Sequence, residues 1–209
     1  DGENANYAKV NGQTVTVSVS KAEITADIYY EDTASVDGVL TLPYNGKEGY
    51  VVSVNLTGVR DGDVIDGALT KKIIDAGTYN GYNGFEIALD GNDAECYEVT
   101  NVADLSVKVT PAEITVEWSN YDGFTYDGTA KTPTATAKGT FDNYEVKLTV
   151  TVAGDNATDT DGKMTAVNAG DYTATVAAFE SGNYKLSAAS EKPFSIAKAT
   201  ATLGIENYQ

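Results

Sequence analysis

Wherever this 209-residue chain is regular, apolar and polar residues alternate with a period of two. Thr14-Val15-Thr16-Val17-Ser18-Val19, Leu105-Ser106-Val107-Lys108-Val109 and Val146-Lys147-Leu148-Thr149-Val150-Thr151-Val152 each send every second side chain to one face. That is the signature of a strand with one buried side. β-branched and aromatic residues fill these runs, and Gly, Asn or Asp bounds nearly all of them. An amphipathic helix of ordinary length has no support. Leu69, Ile73 and Ile74 have helical spacing, but their segment, Gly67 to Ala76, leads into an Ala-Gly-x-Tyr strand pattern and reads as a short turn or strand. The pattern predicts an all-β protein.

The strands come in a repeating order. A tyrosine followed fourteen residues later by Lys or Pro and then Ala occurs at Tyr7/Lys21-Ala22, Tyr97/Pro111-Ala112 and Tyr184/Lys198-Ala199. From Tyr7 to Tyr97 is 90 residues and from Tyr97 to Tyr184 is 87. Between these anchors, Ala22-Glu23-Ile24-Thr25 answers to Ala112-Glu113-Ile114-Thr115, Tyr44-Asn45-Gly46 to Tyr126-Asp127-Gly128, and Ala76-Gly77-Thr78-Tyr79 to Ala169-Gly170-Asp171-Tyr172. A period this long exceeds a solenoid repeat and fits one small domain per unit. The expected division is 1–20 as the terminal hairpin of a preceding repeat, 21–110 and 111–197 as two β-sandwich repeats with separate cores, and 198–209 as the first strand of a following repeat. On this reading the sequence is a slice of a longer array.

Each repeat is expected to close with a hairpin that runs directly into the next unit. Asn11-Gly12 would turn the first, between Tyr7–Val10 and Thr14–Val19, and the spacers 101–104 and 188–191 the later ones. Such short junctions, one stiffened by Pro111, leave little room for a flexible linker.

Composition narrows the function. One cysteine, Cys96, excludes an intrachain disulfide, and with no histidine there is no zinc constellation and few nucleophile–base arrangements. Fourteen basic against 31 acidic residues give a net charge of −17, which repels nucleic acid and anionic lipid. No run of 18 apolar residues suggests membrane insertion within this stretch.

Asp75-Ala76-Gly77-Thr78-Tyr79 and Asn168-Ala169-Gly170-Asp171-Tyr172 have the form of the tyrosine corner of immunoglobulin-like sandwiches, with Gly81 and Ala174 where a cysteine would stand. Tyr79 and Tyr172 are therefore expected to be buried in equivalent places, each hydroxyl on backbone. Together with Lys21-Ala22-Glu23-Ile24-Thr25, Tyr126-Asp127-Gly128-Thr129-Ala130-Lys131, Val167 to Thr175, Asn183-Tyr184-Lys185-Leu186 and Ile196-Ala197-Lys198-Ala199-Thr200, these segments resemble the MBG/YDG repeat domains of bacterial surface proteins. The resemblance covers the second unit almost entirely. The first departs from it with Tyr44-Asn45-Gly46, longer loops, and Cys96 where the other copies carry Asn6 and Asn183. It implies tandem immunoglobulin-like β-sandwiches, extracellular at the bacterial cell surface or cell wall, without enzyme activity, and it supplies no binding residues.

Three groups of residues invite chemistry. Asp155, Asp159 and Asp161 crowd a loop with the acid density of a calcium site, but Ala157 and the missing terminal Glu break the ligand spacing. A solvated acidic loop is the reading, with Ca2+ as its alternative. Tyr82, in an Asn/Gly-rich insertion, and the pair Tyr29-Tyr30 could contact glycan or protein through flat rings, or could pack locally. Lys21, Lys131, Asn6 and Asn183 could in principle enter an isopeptide bond. Leu42-Pro43-Tyr44-Asn45-Gly46 superficially resembles a sortase signal but aligns with a turn, and reads as one. The functional expectation is a structural spacer or stalk whose partners are neighbouring repeats of the same chain. An adhesin module, binding extracellular glycan or protein through loops of the first repeat, is the alternative.

Overall fold

A computed structural model describes residues 12, 14–82, 84–141, 145–146 and 148–204. The first half contains β1 (Ala22–Tyr30), β2 (Thr33–Ala34), β3 (Val39–Pro43), β4 (Ser53–Thr57), β5 (Asp66–Leu69), β6 (Gly77–Asn80), β7 (Ile87–Asp90), β8 (Tyr97–Val99) and β9 (Ser106–Thr110). The second contains β10 (Ala112–Glu113), β11 (Glu117–Ser119), β12 (Phe124–Thr125), β13 (Thr134–Thr136), β14 (Val150–Ala153), β15 (Thr158–Thr160), β16 (Lys163–Thr165), β17 (Gly170–Val176), β18 (Phe179–Ser181), β19 (Tyr184–Leu186) and β20 (Ser190–Ala197). The protein is all-β: the helices among the described residues are three single 3-10 turns. The segment 67–76 is part of β5 and a turn, as its sequence suggested.

Alternation becomes burial. In β1, Ile24, Ala26 and Ile28 are buried while Thr25, Asp27 and Tyr29 face outward. The same happens in the run ending in β9, where Leu105, Val107 and Val109 point inward. Such strands stabilise only when a second layer covers the apolar side.

Strand pairings recur between the halves. β1 lies antiparallel to β4 and parallel to β8, with Ala22 opposite Tyr97. In the second half, β11 lies antiparallel to β13 and β10 parallel to β19, with Ala112 opposite Tyr184. The last strand of each half sits between a parallel and an antiparallel neighbour: β9 between β3 and β6, β20 between β12 and β17. Gly77 stands opposite Val109 and Gly170 opposite Ile196, so the two Ala-Gly-x-Tyr segments enter their sheets in matching register.

Four expectations need correction. The strands flanking 101–104 and 188–191 do not form hairpins. β8 joins the sheet of β1 while β9 joins that of β3, so the chain crosses between sheets. Asn101 fixes the crossing, its side-chain amide bonding Ala26 N–H at 2.9 Å and Ala26 C=O at 2.8 Å. A side chain thereby supplies the ladder partners that a hairpin would have provided. Second, the cores are not separate. One buried cluster runs from Ile28, Leu40, Val107 and Tyr44 into Ile114, Ala137, Val176, Tyr184 and Leu186, while Val152, Ala166, Tyr172, Ala174, Phe194 and Ile196 form another within the second half. The rings of Tyr44 and Tyr184, edge-on at 5.6 Å, lie at the connection. Third, the alternating run from Val146 is not one continuous arm among the described residues: Val146 N–H bonds Ala137 C=O at 3.2 Å, and β14 takes in Val150–Ala153.

The strand arm expected at Thr14–Val19 is also corrected: among the described residues, 14–20 form no strand and their valines are exposed, so alternation there meets no covering layer. The hairpin arm expected at Tyr7–Val10 lies outside the described residues, and so does Asn6.

Candidate functional site

The most developed polar and aromatic constellation is the junction between the halves. From the first half come the Tyr44-Asn45-Gly46 turn that follows β3 and the Asp75-Ala76 turn that precedes β6. From the second come Asn183 and Tyr184, at the start of β19, and Phe141. Asn183 Oδ1 accepts the Ala76 N–H at 2.6 Å, and its Nδ2 donates to Asp75 Oδ1 at 3.0 Å. Its own carbonyl accepts Ala112 N–H at 2.9 Å, which fixes the loop that presents it. A single amide thus satisfies one backbone donor and one carboxylate across the junction.

Beside this clasp the rings interlock. Tyr44, only 2% exposed, meets Tyr184 edge-on at 5.6 Å between centroids and Phe141 at 5.8 Å. Edge-to-face geometry of this kind adds to the burial of area. Gly46 has φ +86°, and a Cβ there would lie 2.8 Å from the Cβ of Phe141. Glycine is needed at this turn for its conformation and for the close approach alike. Tyr184 Oη accepts Phe141 N–H at 3.4 Å, which keeps the 139–141 loop against the junction.

The tyrosine corners are present. Tyr172 is buried, and its hydroxyl lies 2.7 Å from Asn168 C=O and 3.1 Å from Asn156 C=O. The Tyr79 hydroxyl donates to Asp75 C=O at 2.9 Å, the equivalent position, although its ring is only half-buried.

The candidate tyrosines do not gather. Tyr82 is 83% exposed on the turn beyond β6, past the end that pairs with Ser106. Tyr30 stacks edge-on with Tyr50 at 4.8 Å, and Tyr50 donates its hydroxyl to Pro43 C=O, at the end of β3 that pairs with Thr110. Four residues of strand, roughly 13 Å, separate those two levels. Tyr29 lies on the outer face of β1, opposite Ala34 and Ser53.

The acidic loop becomes a hairpin. Asp159 lies in β15, Asp161 and Gly162 form its tight turn with φ +55° and +78°, and Asp159 Oδ1 accepts Gly162 N–H at 2.8 Å. Asp155 lies apart in the turn before β15, lining a shallow groove with Tyr121, Asp122, Asp171 and Tyr172. Among the described residues, no three His, Cys, Asp or Glu side chains converge as a metal site. Lys131 and Asn183 are engaged separately: Lys131 Nζ bonds Asp127 Oδ2 at 2.5 Å, holding the Tyr126-Asp127-Gly128 turn closed. That contact, with the Thr129 hydroxyl and N–H, keeps the Asp127 carboxyl well below the usual carboxylate range.

Apart from Phe141, which no sequence pattern singled out, the junction residues were visible in the sequence as repeat landmarks, but not as partners of one another. Spacing shows which positions are equivalent; it does not show which loop of one unit faces which loop of the next. No protein-family model matches this chain, and no curated protein matches it.

Proposed function

We propose that the chain is a structural spacer: tandem immunoglobulin-like β-sandwich repeats, 21–110 and 111–197, of an exported bacterial cell-surface protein, resembling MBG/YDG repeats. The observation that carries this reading is the Asn183 clasp with its interlocked rings, because it fixes one repeat on the next over a junction too short to act as a flexible linker. The net charge of −17 supports it as well, since like charge keeps long arrays soluble and apart. In this role the chain needs no catalysis and no cofactor, and its partners are neighbouring repeats. An adhesin would require a shared recognition face, and Tyr82 and Tyr30 are at opposite levels of the first half.

The test combines geometry and binding. Spin labels on Cys96, which is exposed, and on an Asp122→Cys variant report the separation of the halves. One narrow distance distribution is expected, together with no ligand on glycan arrays. A broad distribution, or a glycan or protein ligand lost on Tyr82→Ala without a change in melting temperature, overturns the spacer reading.

A further inference from the structure

We propose that the face formed by Tyr126, Gly128 and the Asn168-Ala169 turn is a docking surface for the Asn-Tyr loop of a further copy of the second unit. The inference deepens the spacer reading and rests on it for the existence of that copy.

Both halves build this face on the same frame. Tyr44 N–H donates to Thr110 C=O at 2.8 Å, and Tyr126 N–H donates to Ala197 C=O at 2.9 Å. Gly46 and Gly128 share the left-handed conformation, with φ +86° and +80°. Asp75-Ala76 and Asn168-Ala169 precede glycines in matching register. In the first half every part of the face is covered: Tyr44 by Tyr184 and Phe141, Gly46 by Phe141, and Ala76 N–H by Asn183. In the second half Tyr126, Gly128 and Asn168 are uncovered, while Ala169 is half-buried with its carbonyl accepting Asn156 Nδ2 at 3.1 Å, which leaves its N–H side for a partner. Tyr126 is 43% exposed, and no atom lies within 4 Å of the position a Cβ on Gly128 would take.

The chemistry of the occupant follows from what covers the first face. An incoming asparagine would accept the Ala169 N–H and donate to Asn168 Oδ1, because replacing Asp75 by Asn168 retains a carbonyl oxygen acceptor. An adjacent tyrosine would cover Tyr126 edge-on. The turn is already shaped for this, since Asp127 accepts Thr129 N–H at 2.9 Å and Lys131 closes the other side. The first unit carries Cys96-Tyr97 at the equivalent place, and a thiol offers one sulfur that donates and accepts weakly where the amide has a separate oxygen and NH2. The surface therefore selects copies of the second type.

The experiment extends the full chain by repeating 111–197 after Ala197. Hydrogen exchange at the Ala169 amide is expected to slow at least tenfold relative to the parent, and an Asn→Ala change at position 183 of the added copy should abolish that protection. Unchanged exchange in the extended chain, or protection that survives the Asn→Ala change, overturns the proposal. A second readout uses short thiol crosslinking in a Cys96→Ser background. Asn168→Cys with Asn183→Cys of the added copy should link as efficiently as Asp75→Cys with the native Asn183→Cys; linking at the native junction alone overturns it. A spacer could be built from undocked units, so failure here leaves the spacer reading standing. A ligand lost on Tyr82→Ala would remove that reading and leave the docking face untouched.

Discussion

Tyr79 and Tyr172 hold the same register in equivalent sheets and bond the carbonyl four residues upstream, yet only Tyr172 is enclosed. Phe194 accounts for part of the difference, lying stacked on Tyr172 at 5.4 Å, where Tyr79 has Val107 opposite it. The covered ring has the more to lose.

Tyr172→Phe leaves the Asn168 carbonyl without the hydroxyl and is expected to cost about 1–2 kcal/mol. Tyr79→Phe, half in water, should cost clearly less. Denaturant midpoints of the two variants check this, and equal losses would contradict a burial-dependent corner.

Gly46→Ala and Gly128→Ala separate strain from contact. Each puts a Cβ into left-handed backbone, at roughly 1–2 kcal/mol. Only Gly46→Ala also collides with Phe141, adding on the order of 1–3 kcal/mol of overpacking. Adding Phe141→Gly, which removes the Cβ that the new methyl at position 46 would strike, should narrow the gap between the two, as read by thermal or denaturant unfolding.

Asn183→Ala should raise hydrogen exchange at Ala76 by about tenfold, the equivalent of one hydrogen bond of roughly 1.4 kcal/mol. Exchange within β17 and β20, remote from the clasp, should be unaltered. Uniform acceleration would mean that the variant had merely lowered global stability.

Acid titration examines the Tyr126-Asp127-Gly128 turn. The folded pKa of Asp127 is depressed, first by Lys131 and then by Thr129, so its contribution is full above the ordinary carboxylate value and is lost as pH falls through the folded one. Lys131→Met should move the Asp127 titration, followed by NMR, upward toward the ordinary range. A titration unchanged by that substitution would show the ion pair to be absent in solution.

How much of this was legible in the sequence depended on whether a feature is local. Alternation in Leu105, Val107 and Val109 gave both the strand and its buried side, and the Ala-Gly-x-Tyr recurrence gave the corner and its hydroxyl bond, since each involves residues a few positions apart. The sheet to which a strand belongs is not local. Tyr97–Val99 and Ser106–Thr110 look like two arms of a hairpin, and only the Asn101 amide, reaching 75 residues back to Ala26, shows that the chain crosses between layers. The clasp spans more still, 107 residues from Asn183 to Ala76. Tyr44 reads as part of a turn and Tyr184 as a repeat anchor; that they cover one another depends on the approach of two surfaces, which periodicity does not encode.

The position of β9 and β20, each flanked on both sides, decides how the molecule responds to pulling. Tension along the chain leaves each half through a strand gripped by a parallel and an antiparallel neighbour, so the load falls on many ladder bonds in shear at once. An edge strand would peel open one bond at a time. Stretching a single molecule should therefore give one abrupt rupture per half, and gradual unzipping at low force would contradict the pairing. The same strands that complete the sheets make each half a mechanical fuse, intact under sustained drag and failing only as a whole.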